Sequence, residues 1–93
     1  MGAILPERIT PSSDLICQEL DGEMVILDLK QERYFGLDEV GCRIWQLLSD
    51  GTTTEEILRT LQAEFEVDEQ TLTDDLNALY QQFVAARLVQ NAA

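Results

Sequence analysis

The spacing of hydrophobic residues changes near residue 38. Before that point, apolar residues fall in short runs separated by turn-forming residues, which predicts strands over residues 15–20, 23–29 and 33–37. Asp21-Gly22, between the first two runs, is a strong signal for a two-residue hairpin turn. Short connections of this kind predict an antiparallel meander in which Leu20 pairs with Glu23.

In that register, both faces of the predicted sheet are apolar. The two sets are Ile16, Leu20, Val25 and Leu27 on one face, and Leu15, Cys17, Met24 and Ile26 on the other. A sheet with one face in water normally alternates more cleanly between apolar and polar residues. We therefore expect either the N-terminal segment or another chain to cover part of the second face.

After residue 38, apolar residues recur every three or four positions, which predicts three helices. Asp38 is a plausible N-cap and Gly51 a plausible stop for the first helix, and Thr53 with Glu56 forms a capping box for the second. Asp68 is the expected N-cap of the third helix. The apolar stripes are Val40, Ile44, Leu47 and Leu48 beside Trp45, then Ile57, Leu58, Leu61 and Phe65, and finally Leu72, Leu76, Leu79 and Phe83 with Tyr80 and Val84.

The order of elements predicts a single α+β domain. Three antiparallel strands followed by three helices (βββααα) have the composition of a winged helix-turn-helix domain with its sheet placed first. Residues 1–13, which include Pro6, Pro11 and two serines, are expected to form a flexible N-terminal segment before a domain over residues 14–90.

The charge of the chain argues against several functions. The 93 residues include 6 Lys and Arg, 18 Asp and Glu and no His, so the formal net charge is −12. Nucleic-acid affinity depends mainly on basic side chains, and the predicted third helix carries Asp74 and Asp75, with Arg87 near its end. We expect neither nucleic acid nor an anionic membrane as a partner. Without an evident signal segment or membrane span, the expected location is the cytoplasm.

The sequence offers no catalytic constellation. No His is present to act as a general base or metal ligand, the glycines form no phosphate-binding loop, and the acidic residues lack the spacing of a calcium loop. We expect no enzyme activity, cofactor or metal. Cys17 and Cys42 are expected to be small buried hydrophobic residues, with a disulfide or redox pair as the alternative. An acyl carrier protein fits badly, because Ser12-Ser13-Asp14-Leu15 leads into a strand.

Residues 34–52 carry a recognisable order of features: Tyr34-Phe35-Gly36-Leu37, an acidic cap, Val40-Gly41, Ile44-Trp45 and Gly51-Thr52, followed by Glu55-Glu56-Ile57. In this order and spacing, the chain resembles the PqqD-like family, the peptide-recognition domains (RiPP recognition elements) of pathways that modify ribosomally made peptides. The similarity covers roughly residues 15–89. A short free-standing chain most resembles the leader-binding B-protein subunit of lasso-peptide biosynthesis. A PqqD-like peptide chaperone for a radical-SAM maturase is the alternative within the family.

The resemblance implies a binding module. Such domains capture the leader segment of a precursor peptide as an added antiparallel strand beside the third strand, in the groove between it and the third helix. The partners implied are the precursor peptide, a separate leader peptidase of the cysteine-protease type and an ATP-dependent lasso cyclase, with a homodimer through the sheet edge in the free protein as a further expectation. The implied leader-binding residues are Glu32, Arg33, Tyr34, Phe35, Gly36, Leu37, Asp75, Leu76, Ala78, Leu79, Gln82 and Phe83.

The residues themselves are compatible with this role. An edge strand presents unpaired N–H and C=O groups, which an added strand can satisfy. Gly36 in the docking strand weakens the strand but permits close approach of another backbone. Which of Tyr34 and Phe35 faces the groove is open at this point, and Trp45 is expected to be a core residue. A winged-helix interaction or regulatory domain with another partner is the second functional class.

Overall fold

The computed structural model describes residues 5–90 and has the predicted βββααα architecture. The strands are β1 (Leu15–Leu20), β2 (Glu23–Asp28) and β3 (Arg33–Leu37). The helices are α1 (Glu39–Ser49), α2 (Thr54–Glu64) and α3 (Glu69–Ala85). The predicted element order and fold class are confirmed, and β2 ends one residue before the predicted boundary.

The sheet is an antiparallel meander with the strand order β1-β2-β3. Asp21 and Gly22 both have positive φ angles, 54° and 83°, as a two-residue type I′ hairpin turn requires. This turn sets the register, so Leu20 lies opposite Glu23 and Gln18 opposite Val25, as predicted. With β2 in the centre, β1 and β3 form the two edges of the sheet.

The core lies between one face of the sheet and the three helices. Met24 and Ile26 project into it from β2, and Phe83 of α3 occupies its centre. The Phe83 ring contacts Trp45 and Phe35 edge-on, with centroid distances of 5.2 and 6.0 Å. Trp45 is buried, so its predicted role as a core residue is confirmed.

The opposite face of the sheet, which we call the outer face, is exposed and largely apolar. It carries the large hydrophobic side chains Ile16, Leu20, Val25, Leu27 and Tyr34, which are between 39% and 78% exposed. The expectation that the N-terminal segment covers a second apolar face is wrong for residues 5–13, because this stretch packs elsewhere.

Residues 5–13 lie against the helices. The Glu7 carbonyl accepts a hydrogen bond from the N–H of Thr54 (2.8 Å), Ile9 is buried, and Pro11 forms an antiparallel bridge with Val89. The packed unit therefore extends N-terminally of the boundary predicted at residue 14. The part of the predicted flexible segment before residue 5 lies outside the described residues.

Local capping explains where the helices begin. The Asp38 side chain accepts a hydrogen bond from Gly41 N–H (2.8 Å), and the Thr53 hydroxyl accepts one from Glu56 N–H (3.2 Å), as predicted. Asp68 occupies the N-cap position of α3 but makes no side-chain capping bond. Gly51 follows α1 with a φ of 84°, which suits its predicted role as a stop.

The two cysteines differ in environment. Cys42 is buried as predicted, and burial, with the charge of Glu19 adding to it, raises the pKa of its thiol. Cys17 is exposed, which corrects the expectation that both are buried, because β1 is an edge strand whose inward side is only partly covered. Both are free thiols. Within residues 5–90, no helix is long and apolar enough to cross a membrane.

Candidate functional site

A groove runs along helix α3, past the edge strand β3 and the start of α1. It consists of two cavities of about 390 and 320 Å³ that meet at Gln82. The first lies at the start of β3 and is lined by Asp28, Arg33, Tyr34, Phe35, Gln82, Ala85, Ala86 and Leu88. The second lies beyond the end of β3 and is lined by Asp38, Val40, Gly41, Ile44, Asp75, Ala78, Leu79 and Gln82.

The backbone of β3 has free hydrogen-bonding groups on the groove side. Leu29 N–H donates to the Asp14 carbonyl beside β1, which shows that this residue of the β2 continuation points toward β1. Hydrogen-bonding direction alternates along an antiparallel strand, so Asp28, Ile26 and Met24 point toward β3. The residues opposite them, Arg33, Phe35 and Leu37, therefore direct their backbone N–H and C=O groups toward β2 and form hydrogen bonds with it. The N–H and C=O groups of Tyr34 and Gly36 point away from the sheet, at its edge.

The same alternation separates the side chains of Tyr34 and Phe35. Phe35 lies opposite the buried Ile26 and is half-buried on the helix side, where it packs against Phe83. Tyr34 lies opposite Leu27 on the outer face, is 78% exposed and reaches the rim of the first cavity. Phe35 thus forms the floor of the groove, and Tyr34 stands at its border with the outer face.

Helix α3 forms the opposite wall. Asp75, Ala78 and Gln82 are exposed and Leu79 is half-buried, and all four line the second cavity, as expected for a groove wall. Leu76 and Phe83 are 0% exposed and line neither cavity. They occupy the centre of the apolar stripe of α3, so they support the groove from the core instead of forming its surface.

The remaining predicted residues lie at the ends of β3. Glu32 is an exposed turn residue with a φ of 53° and lines neither cavity. Leu37 is buried and packs into the core. A Cβ placed on Gly36 would meet no heavy atom within 4 Å, so the space beside this residue is open in the described chain.

A hydrogen-bond network at the β2–β3 turn borders the first cavity. The Gln31 side-chain amide donates to the Asp28 carboxylate (2.7 Å) and to the Ala86 carbonyl at the end of α3 (3.2 Å), and it accepts a bond from Arg33 (3.1 Å). The Lys30 N–H also donates to Asp28, at 2.9 Å. The bond from Gln31 to Ala86 joins the turn to the end of α3, at the part of the groove that Asp28 and Ala86 line.

The pKa of Asp28 reflects this network. Burial by itself would raise the pKa of the carboxyl group, but hydrogen bonds from Gln31 and Lys30 and the nearby charge of Arg33 outweigh it. The pKa of Asp28 therefore lies below its ordinary value, and the carboxylate stays charged at neutral pH.

Sequence reasoning missed several lining residues. Asp28 at the end of β2 and Ala86 just after α3 line the first cavity, and Gln31, which lines neither cavity, donates a hydrogen bond to each of them. Only this tertiary contact brings the two lining residues together at the groove. The sequence predicts only a polar break between strands at Lys30-Gln31-Glu32. The sequence signal that could have indicated this turn is Asp28 placed just before Lys30 and Gln31. An Asp side chain at such a position commonly accepts hydrogen bonds from the backbone N–H groups of the following turn.

The groove offers binding surface and no reactive group. Its lining is mostly apolar and contains no Ser, Thr or Cys nucleophile, and the chain has no His to serve as a base. Arg33 lies at one end, while Asp38 and Asp75 lie at the other. Within residues 5–90, no three Cys, Asp or Glu side chains cluster in a way that could hold a metal ion. The geometry is that of an open sheet edge beside an apolar groove, which suits an extended peptide.

Comparison with protein families gives a match over most of the chain. The family described as coenzyme PQQ synthesis protein D (PqqD) matches residues 23–89, from the start of β2 to the segment after α3. The chain belongs to the PqqD family. The resemblance inferred from residues 34–52 is thereby confirmed for the greater part of the molecule.

A solved structure agrees with this PqqD-family assignment. The structure of TbiB1 in complex with the TbiA(β) leader peptide is 37% identical in sequence to the chain and superposes with a TM-score of 0.84. The match covers 90% of this chain and 98% of TbiB1, so the two share the whole βββααα fold. The comparison with curated protein sequences gave no match.

Proposed function

We propose that the chain binds the leader segment of a ribosomally synthesised precursor peptide as a fourth strand beside β3. The observation that carries this proposal is the pair of outward-pointing backbone positions, Tyr34 and Gly36, next to the apolar groove. The 37% identity to TbiB1, whose structure was solved with a leader peptide, supports it.

The groove suits a peptide in antiparallel register. Such a peptide runs opposite to β3, so its N-terminal part lies near Asp38 and its C-terminal part near Arg33. Alternate side chains of an added strand point to opposite faces. One set enters the groove between Phe35 and Leu79, where burial of apolar surface provides affinity, and the other set joins the outer face.

The bound peptide is then delivered to other proteins. The chain itself carries out no reaction in this proposal, and a separate leader peptidase of the cysteine-protease type and an ATP-dependent lasso cyclase act on the captured precursor in the cytoplasm. Holding the leader raises the effective concentration of the substrate near each enzyme. The resemblance to lasso-pathway B-proteins favours these partners over a radical-SAM maturase.

The test combines binding and turnover. The chain is titrated into a fluorescein-labelled leader of the precursor encoded beside it, with the labelled TbiA(β) leader as a second probe and a scrambled leader as control. We expect a saturable rise in anisotropy with the first probe and none with the scrambled peptide. Mass spectrometry should show an unchanged precursor with the chain alone, and faster leader removal when the chain joins the peptidase. Absence of saturable binding to the cognate leader would contradict the proposal.

A further inference from the structure

The outer face of the sheet carries an apolar patch that Gln18 interrupts on β1. Ile16, Leu27 and Tyr34 lie side by side across the three strands, and Leu20 and Val25 extend the patch toward the β1–β2 turn. Soluble proteins seldom expose large side chains side by side in this way unless another molecule covers them. The described N-terminal residues lie on the helices and do not reach this face.

The size and charge of the patch argue against a second copy of the chain as its occupant. Three strands of about six residues span roughly 300 Å² in the plane of the sheet, whereas a stable interface buries about 800 Å² on each partner. Two copies would also bring together chains with a net charge of −12 each, with Asp21 and Glu23 at the end of the patch. A contact of this size is weak by itself and needs additional surface to persist.

The position of the patch supplies that additional surface. Tyr34 belongs to the outer face and also lines the rim of the groove, so the patch is continuous with the edge where the peptide is proposed to add. The outward-pointing side chains of an added strand lie in the same plane as Ile16, Leu27 and Tyr34. A protein that holds the same peptide would therefore contact the outer face and the peptide together.

We propose that the outer face docks the enzyme that processes the bound leader, through an apolar surface of that enzyme bordered by Lys or Arg residues. This inference rests on the proposed leader binding and adds a second contact to it. The docking is weak without the peptide and stronger with it, because the peptide links the two proteins and raises their effective concentration. The acidic border of the patch makes the contact sensitive to salt.

The test uses the strand that lies farthest from the leader. Ile16→Thr/Leu20→Thr removes apolar surface from β1 while keeping a residue that favours strands. Gln18→Thr is the matched control, since Gln18 lies between these residues on the same face and is already polar. Circular dichroism checks folding, and Val25→Thr on β2 tests the same patch should the double variant not fold.

Three measurements separate the possible outcomes. Affinity for the labelled cognate leader should stay within about twofold in all variants, because β1 does not touch the groove. Binding of the purified leader peptidase, with and without leader, should weaken about tenfold in Ile16→Thr/Leu20→Thr and stay unchanged in Gln18→Thr. Peptidase-catalysed leader removal should slow in parallel, at low and at high salt alike, because the substitutions remove apolar surface and no charge.

Unchanged peptidase binding and cleavage in the folded double variant would overturn the docking proposal. A wild-type chain that sediments as a dimer, with the dimer lost in the double variant, would overturn it in favour of a second copy. Failure of the wild-type chain to bind the leader would instead contradict the proposed function, while the peptidase-binding measurement without leader still decides the docking surface.

Discussion

At the residue scale, neighbouring side chains of β3 and α3 have different tasks. Phe35 faces the groove and the core, whereas Tyr34 faces the outer surface. On α3, Leu79 borders the groove while Phe83, four positions later, is wholly buried. Truncation of Phe83 would cost about 3–5 kcal/mol of stability, so it probes the core and not the groove surface.

The acidic and apolar parts of the α3 wall can be separated by substitution. Leu79→Ala should weaken leader binding about tenfold at any salt concentration, because it removes apolar groove surface. Asp75→Lys should weaken binding of a leader with Lys or Arg near its anchor by about two- to threefold, and only at low salt. Anisotropy titrations at low and high salt measure both effects.

The neighbouring Asp74 provides the control for charge. It accepts a hydrogen bond from Gln70 and does not line the second cavity, so Asp74→Lys makes the same charge change away from the groove. If Asp74→Lys and Asp75→Lys weaken leader binding equally, the loss of affinity comes from the net charge of the chain and not from a contact at the groove. Wild-type affinity in a folded Leu79→Ala variant would place the peptide elsewhere.

Asp28 makes the stability of the fold depend on pH. Its pKa is lower in the folded chain than its ordinary value, so it stabilises the fold where the carboxylate is charged. That stabilisation is complete above the unfolded-state pKa and is lost as the pH falls through the folded-state pKa, in the range below about pH 4. Thermal melts of the wild type should therefore drop in this range, and Asp28→Asn should show a lower melting temperature at neutral pH and a smaller drop.

Glu64 is the matched carboxylate for this experiment. A hydrogen bond from Arg43 lowers its pKa in the folded chain against the opposing effect of burial, and the pair joins α2 to α1 away from the groove. Glu64→Gln should change the pH dependence of the melts but leave leader affinity unaltered. Asp28→Asn should reduce leader affinity as well, because it loosens Gln31 and the end of the groove. Equal leader affinity in Asp28→Asn and Glu64→Gln would show that the β2–β3 turn does not contribute to leader binding.

At the element scale, β3 combines two roles through its alternation. Arg33, Phe35 and Leu37 bond to β2 and hold the sheet together, while Tyr34 and Gly36 leave their backbone groups free at the edge. A proline at Phe35 would break the native sheet. A proline at Gly36 removes only a donor that points away from β2.

Gly36→Pro therefore tests strand addition directly. It should weaken leader binding at least about tenfold, since a backbone hydrogen bond to the peptide is lost and its carbonyl partner is left unpaired. Gly36→Ala keeps the N–H group, and its added Cβ meets no heavy atom within 4 Å, so this variant should bind nearly as the wild type does. Circular dichroism confirms folding of both variants. Wild-type affinity in a folded Gly36→Pro variant would exclude pairing of the leader at this position.

At the scale of the whole molecule, the acidity of the chain shapes its choice of partners. A net charge of −12 on 93 residues disfavours nucleic acid, anionic membranes and self-association, and it attracts basic peptides and basic protein surfaces. The six Lys and Arg residues are few, and Arg43 and Arg59 are engaged with Glu64 and Glu55. The groove and the outer face meet at Tyr34, which lies on the outer face and lines the first cavity.

The sequence by itself determined the elements of this protein, because their signals are local. The Asp21-Gly22 turn sets the sheet register, and caps such as Asp38 and Thr53 set the helix starts, through contacts within a few residues. The order of motifs over residues 34–52 indicated the family because it, too, can be read from residues that are close together in the sequence.

Only the tertiary structure decided which surfaces are available. Leu76 and Leu79 belong to the same helical stripe, yet one is buried and the other lines the groove, because exposure depends on how α3 lies against β3. The contact from Gln31 to Ala86 joins positions 55 residues apart, and no local pattern specifies it. The exposed outer face likewise depends on where residues 5–13 pack, and they pack on the helices through long-range hydrogen bonds to Thr54 and Leu88.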